Sequence, residues 1–142
     1  MFAVQSSDLE LLQAWQEHDP RLRWRVQFPF MGVPNTESFG VVYFEVEPGD
    51  ALATHTDSKD EIVILLSGHG EGTVGDETQR LSAGAVVFIP AMVPHGFCNT
   101  GTETLRAVGI FAGAMVTSTF AEPVMPLGQR VIGPPLAVHE VR

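Results

Sequence analysis

Two short blocks of sequence, 49–68 and 84–99, constrain the fold of this chain more than any other feature. Each block contains a short apolar run, 62–66 in the first and 86–89 in the second, and glycine or proline stands on both sides of each run. Apolar runs of this length between turn residues are typical of β-strands rather than helices. The blocks therefore predict short strands that are joined by tight turns.

The same blocks carry four side chains of the kinds that bind metal ions: His55, Asp57, Glu61 and His95. His55 and Asp57 are two residues apart, so on a strand they project from the same face. The polar stretch 58–60 can turn the chain and return Glu61 to that centre, and His95 comes from a different hairpin. Imidazole and carboxylate groups are the usual ligands of iron, manganese, nickel, copper and zinc. The sequence predicts one divalent metal ion on His55, Glu61 and His95, with Asp57 as a fourth candidate ligand.

The first block resembles the first motif of the cupin superfamily. That motif is Gly, five residues, His-x-His, three or four residues, Glu, six residues and Gly. This chain has the same spacing at Gly49, His55, Asp57, Glu61 and Gly68. The resemblance implies a cupin β-barrel in which His55 and Glu61 are metal ligands.

The second block resembles the second cupin motif, which is Gly, five residues, Pro-x-Gly, two residues, His, three residues and Asn. The matching positions are Gly84, Pro90, Met92, His95 and Asn99. The resemblance implies that His95 is the remaining ligand. Met92 stands where the motif has a glycine that tolerates positive φ. We therefore expect the turn after Pro90 to differ in shape and Met92 to line the mouth of the pocket.

Asp57 also departs from the family pattern, because a histidine usually occupies its position. If Asp57 is a ligand, the site has two histidines and two carboxylates, which favours a hard ion such as iron(II) or manganese(II). If it is not, His55, Glu61 and His95 form a two-histidine, one-carboxylate set that suits non-haem iron. Asp57 would then orient a ligand or act as a general base. Asp57 and Glu61 are the two candidate catalytic carboxylates.

The remaining sequence predicts an all-β antiparallel barrel or jelly roll with one short N-terminal helix. Residues 1–142 are interpreted as a single domain, with an N-terminal arm and helix in 1–20. The helix is expected over about 8–17, where Ser7 to Glu10 resembles a capping box. Residues 121–142 are expected to form an extended, apolar tail, because their prolines disfavour regular structure. His18, His69 and His139 lie in turn or tail contexts and are predicted not to be ligands.

Charge and cysteine content limit the classes of partner and compartment. The formal net charge is −9, which argues against nucleic acid or an anionic membrane as a partner. Cys98 is the single cysteine, so the chain has no internal disulfide and shows no sign of an oxidising compartment. With no recognisable signal peptide, we expect a cytoplasmic protein.

The cupin resemblance implies several activities without deciding between them. The leading interpretation is a metal-dependent oxidoreductase of the dioxygenase type that acts on a small organic substrate, with iron(II) or manganese(II) favoured over nickel, copper or zinc. One alternative is a metal-dependent isomerase, cyclase or lyase, in which a carboxylate moves a proton. Another is a cupin that binds a small ligand without catalysis. A homodimer is expected in each case.

Overall fold

The computed structural model describes residues 1–32 and 36–133 of the chain. Within these ranges the structure contains one 3₁₀ turn, Ser6–Asp8, and twelve strands in a single sheet. The strands are β1 (Leu12–Gln16), β2 (Asp19–Gly32), β3 (Thr36–Val46), β4 (Ala51–Asp57), β5 (Glu61–Ser67), β6 (His69–Val74), β7 (Glu77–Ser82), β8 (Val86–Ile89), β9 (His95–Cys98), β10 (Leu105–Phe111), β11 (Ser118–Met125) and β12 (Gln129–Ile132). No helix in the described ranges has the length and apolar character needed to cross a membrane.

The sheet is antiparallel and curls back on itself. Its order is β7-β6-β9-β4-β11-β1-β2-β3-β10-β5-β8, and β12 pairs with β11. Four strands lie between β9 and β3, yet the rings of Phe97 and Phe44 on these strands are only 5.7 Å apart. The two ends of the sheet therefore face each other across a shared core, and the prediction of an all-β antiparallel fold is confirmed.

Strand β5 shows how alternation in the sequence builds this core. Glu61, Val63 and Leu65 are buried, whereas Ile62 and Leu66 face outwards, as the predicted phase of the strand requires. Burying an aliphatic side chain of this size stabilises the fold by about 1.5–3 kcal/mol. The same alternation places the Glu61 carboxylate on the inner face, beside apolar neighbours.

The predicted N-terminal helix over 8–17 is wrong. The 3₁₀ turn has no side-chain cap bond, and β1 follows it, antiparallel to both β2 and β11. In β1, Ala14 and Gln16 are buried whereas Trp15 between them is only half-buried, which is a period of two rather than 3.6. Helical spacing of apolar residues favoured a helix locally, but β2 and the distant strand β11 pair with this segment and hold it in the sheet.

The expectation of an extended tail without regular structure from residue 121 onwards is also wrong in part. β11 continues to Met125, and β12 pairs back onto it. Pro123 lacks an N–H group, and the paired positions of β11 fall on either side of it rather than on it. The strand therefore accommodates the proline without losing a ladder hydrogen bond. The rest of the predicted tail, residues 134–142 with His139, lies outside the described residues.

Candidate metal centre

Strands β4, β5 and β9 bring all four predicted side chains into one cluster. His55 and His95 are directly paired across β4 and β9, Asp57 is the last residue of β4, and Glu61 is the first residue of β5. The bend between β4 and β5 is fixed by hydrogen bonds: the Asp60 carboxylate accepts the Ala91 N–H at 2.8 Å. The chain therefore turns sharply enough to return Glu61 towards the residues that precede the bend.

The ligand atoms of His55, Asp57 and His95 lie within 4.8 Å of one another. Asp57 Oδ2 is 3.0 Å from His95 Nε2 and 3.5 Å from His55 Nε2. Glu61 Oε1 is 3.5 Å from His95 Nε2. All four side chains are at most 9% exposed, so their polar atoms face the interior rather than bulk water. Two imidazoles and one carboxylate thus form the tightest group, and Glu61 lies beside it.

Backbone carbonyls set the orientation of both imidazole rings. His55 Nδ1 lies 2.8 Å from the Ala53 carbonyl oxygen, and His95 Nδ1 lies 3.0 Å from the Val93 carbonyl oxygen. A carbonyl only accepts, so each Nδ1 must carry the hydrogen and donate it. In a neutral imidazole this leaves a lone pair on Nε2. Histidines that bind metal ions are commonly held in this way.

One oxygen of the Asp57 carboxylate is buried without a hydrogen-bond donor, and a bound cation best explains this. Its Oδ1 accepts the Ser118 hydroxyl at 2.5 Å, whereas its Oδ2 is buried and has no hydrogen-bond donor. The Nε2 lone pair of a neutral His95 would face that oxygen at 3.0 Å. Two electron-rich atoms at this distance repel each other unless a proton or a metal ion lies between them. The donor set therefore fits a divalent ion.

Without a metal ion, a proton on His95 would remove the repulsion between His95 Nε2 and Asp57 Oδ2. Burial would lower the pKa of His95, but a protonated ring could donate to Asp57 and Glu61, and this outweighs burial and raises that pKa to about 10. For Asp57, burial raises the pKa, but interactions with the His55 and His95 imidazoles more than reverse this and hold the pKa well below its usual value. Burial raises the pKa of Glu61, and its hydrogen bond with His95 offsets only part of that effect. The cluster therefore attracts positive charge to the space between its carboxylates.

Gly109 on β10 leaves the space that Glu61 occupies. A methyl group at Gly109 would lie 2.1 Å from Glu61 Oε2 and 2.8 Å from Val42 Cγ1, closer than any such contact in a real protein. The absent side chain therefore lets the carboxylate reach the cluster. No spacing rule links Gly109 to Glu61 in the sequence, and the pairing of β10 with β5 creates the contact.

Replacing Gly109 with alanine is expected to displace the Glu61 carboxylate and to weaken metal binding by roughly tenfold. Calorimetric titration of the metal-free protein with manganese(II) measures the effect. Gly40→Ala is the matched control, because the new methyl group would crowd the flexible Met31 side chain instead. Equal affinities in the two variants would show that Glu61 makes no contribution to the site.

Two further residues that the sequence did not single out support the cluster. Ser118 on β11 holds Asp57, and the ring of Phe120 lies against the ring of His55 with centroids 4.7 Å apart. Both reach the site because β11 pairs with β4. Asn99, the last residue of the second motif, is structural: its side-chain amide donates to the carbonyls of Val46 and Glu103.

Met92 keeps the backbone conformation that a glycine would adopt. Its φ is 67°, and its N–H donates to the Asp57 carbonyl at 2.7 Å. The expected change in turn shape is therefore wrong. A residue with a side chain loses about 1–2 kcal/mol of stability in the left-handed conformation, and the hydrogen bond offsets this cost. The Met92 side chain is exposed and is not among the described residues that line the cavity.

His18 and His69 lie outside the cluster, and Cys98 is exposed.

A cavity of about 460 Å³ lies over the cluster. His55, Asp57, Glu61 and His95 line it, together with mainly apolar residues from both halves of the sheet. Its volume is within the range of sites for small organic molecules. The four polar side chains therefore face a space that can admit a ligand.

Comparisons with known proteins agree with this architecture. The family model for the cupin domain matches residues 42–111. An uncharacterised protein of Streptomyces coelicolor is 33% identical over 75 residues, which cover 53% of this chain and 69% of that protein.

Solved structures show the same fold at low sequence identity. The polyketide cyclase RemF of Streptomyces resistomycificus matches with a TM-score of 0.62 at 20% identity, covering 78% of each chain. Lactobacillus farciminis oxalate decarboxylase matches with a TM-score of 0.68 at 20% identity, covering 82% of this chain and 34% of that one. The cupin domain of Schizosaccharomyces pombe Cnp3 matches with a TM-score of 0.64 at 20% identity, covering 78% and 73%. With both motifs, the curled sheet and these matches in agreement, the chain belongs to the cupin superfamily.

Proposed function

We propose that this cupin is a metal-dependent enzyme that oxidises a small organic molecule with dioxygen. The observation that carries the proposal is the placement of His55, His95 and Asp57, whose ligand atoms converge at the base of a cavity. Two histidines and one carboxylate with open positions are the ligand set of non-haem iron(II) oxygenases. Iron(II) or manganese(II) is favoured, because Asp57 and Glu61 together would neutralise a divalent ion.

The residues of this chain have distinct roles in the proposal. His55, His95 and Asp57 would hold the ion, and Ser118 fixes the rotamer of Asp57 through its hydroxyl. When bound, the ion would supply one-electron chemistry and positions for exchangeable ligands. The apolar wall above it limits the access of water, and Glu61 lies close enough to bind the ion or to hold a proton at Oε1.

The second candidate is a proton-transferring isomerase, cyclase or lyase, and the position of Glu61 favours it. Glu61 is a buried carboxylate that lines the cavity beside His95, and burial raises its pKa. A carboxyl group with a raised pKa can take and return a proton near neutral pH. In this reaction the ion would polarise a substrate oxygen, and no dioxygen would be consumed.

Metal analysis and nitric oxide binding distinguish these candidates without knowledge of the substrate. We expect the full chain to bind one iron(II) per molecule under anaerobic conditions. Nitric oxide occupies the positions that dioxygen would use, so it should give an electron paramagnetic resonance signal. Full iron occupancy without that signal would contradict the oxygenase and leave proton transfer. A protein that takes up no divalent metal would contradict both and leave a cupin that only binds a ligand.

We also propose that two copies associate through the outer face of β5, β8 and β10. Ile110, Ile62 and Phe88 are exposed neighbours in one cross-strand row. Among the described strands β8 ends the sheet, so one of its edges is open beside this row. Exposed apolar side chains that adjoin an open edge are typical of association surfaces.

Light scattering is expected to give a mass of twice 15.4 kDa at micromolar concentration. Phe88→Lys should shift the mass to that of one chain, because the charge would be buried without a partner. Val131→Lys on β12 is the control, since Val131 is similarly exposed but its strand pairs with β11 and not with the strands of the row. A wild-type mass of one chain would contradict the association.

A further inference from the structure

The wall of the cavity is aromatic and lacks positive charge. Its aromatic side chains include Trp24, Phe28, Phe44, Phe97, Phe111 and Phe120. No lysine or arginine is present among the described residues that line it. Arg23 is close by, but its guanidinium lies over the Trp15 ring, 5.0 Å from the centroid, and it is not a lining residue.

Polar groups are concentrated at one end of the cavity. His55, Asp57, Glu61, His95 and Ser118 form the base, and the other polar side chain of the described lining, Gln13, is exposed. With both carboxylates ionised, a bound divalent ion leaves the base formally neutral. An anionic substrate would therefore lose its hydration without gaining a cationic side chain, which is unfavourable in an apolar site.

Three nearly parallel rings lead from the wall to the base. Trp24 and Phe120 are stacked with centroids 5.5 Å apart and an interplanar angle of 9°. Phe120 and His55 follow with centroids 4.7 Å apart and an angle of 17°. Flat rings pack well against such a surface, and offset or edge-on contacts between rings are favourable.

We infer that the cavity selects a neutral, planar aromatic molecule with one hydroxyl group directed at the base, an inference that rests on the proposed function. The aromatic wall accommodates the rings, and among the described residues that line the cavity only those of the base offer charged partners to an oxygen atom. A small dianion such as oxalate, the substrate named for the L. farciminis relative, has no matching cationic side chain on this wall.

Three probes with the same ten-carbon skeleton test the inference on the full chain. They are 2-naphthol, which is neutral and planar, naphthalene-2-sulfonate, which is planar but anionic, and decahydro-2-naphthol, which is neutral but not planar. Calorimetry on anaerobic protein loaded with manganese(II) should show 2-naphthol binding at least roughly tenfold more tightly than either of the others. Equal or tighter binding of the sulfonate would overturn the charge preference, and equal binding of the saturated alcohol would overturn the aromatic preference.

A charge introduced on the wall gives a second, independent readout. Phe28→Arg should reverse the order of 2-naphthol and naphthalene-2-sulfonate. The matched control is Phe30→Arg, because Phe30 is half-buried on the same strand but does not line the cavity. Thermal unfolding monitored by circular dichroism establishes that both variants are folded. An unchanged order in a folded Phe28→Arg protein would overturn the inference.

The outcome is separable from that of the proposed function. The same titrations on metal-free protein report the preference of the wall without the ion. If metal-free protein still binds 2-naphthol more tightly than the other two probes, the inference is supported even if the protein binds no metal. Loss of the preference in protein that carries its full metal content overturns the inference and leaves the metal centre unaffected.

Discussion

Replacing His95 with alanine is expected to abolish stoichiometric metal binding. His95 Nε2 lies 3.0 Å from Asp57 and 3.5 Å from Glu61, so its removal takes away a ligand and a neighbour of both carboxylates. Loss of residues that merely orient ligands costs about 10–100-fold in affinity, and loss of a ligand should cost at least the upper end of that range. Elemental analysis after loading and dialysis measures the remaining metal.

The His95→Ala protein should also be less stable, because Glu61 loses its imidazole partner and Asp57 keeps only His55, at 3.5 Å. Breaking a buried ion pair costs about 3–5 kcal/mol, and urea unfolding of the metal-free proteins measures this loss. His69→Ala is the matched control, because His69 is an exposed histidine on β6. Full metal retention in folded His95→Ala protein would contradict the assignment of His95 as a ligand.

The second large effect is expected at Asp57. Asp57→Asn keeps the shape of the side chain and removes the negative charge from the buried, unpartnered Oδ2. We expect metal affinity to fall by at least about tenfold, because a neutral amide oxygen neutralises no charge on the ion. Metal titration by calorimetry, with elemental analysis of the dialysed protein, measures this change.

Ser118→Ala separates ligation by Asp57 from its orientation. This variant removes only the hydrogen bond to Oδ1 and leaves Oδ2 charged, so its loss of affinity should be smaller than that of Asp57→Asn. Unchanged metal content in Asp57→Asn together with lost activity would identify Asp57 as a general base instead of a ligand. The proposed triad would then have to use Glu61 as its carboxylate.

The two motif blocks predicted the centre of the fold well, because local rules determine that part of the structure. Turn glycines delimit the strands, and alternation orients Glu61, Val63 and Leu65 inwards. The spacing of His55 and Asp57 places them on one face of β4, and the structure has both in the cluster. For these residues, position along the chain is nearly sufficient to predict position in the barrel.

The errors fall where pairing between strands decides the outcome. Residues 12–16 have helical spacing of apolar side chains, but β2 and β11 pair with them and hold them in a strand. Residues 118–125 contain a proline, yet β11 accommodates it between its paired positions. Ser118 and Gly109 reach the site only through strand pairing, so local patterns gave no indication of their roles.

Anomalous scattering at the metal edge, from crystals of protein loaded with iron(II) or manganese(II), tests the central claim most directly. We predict one peak per chain at the base of the cavity, about 2 Å from His55 Nε2, His95 Nε2 and an Asp57 carboxylate oxygen. A peak held by other residues would contradict this account. The account would also be contradicted if protein that carries its full metal content in solution gave crystals in which the imidazole rings of His55 and His95 point away from a common centre.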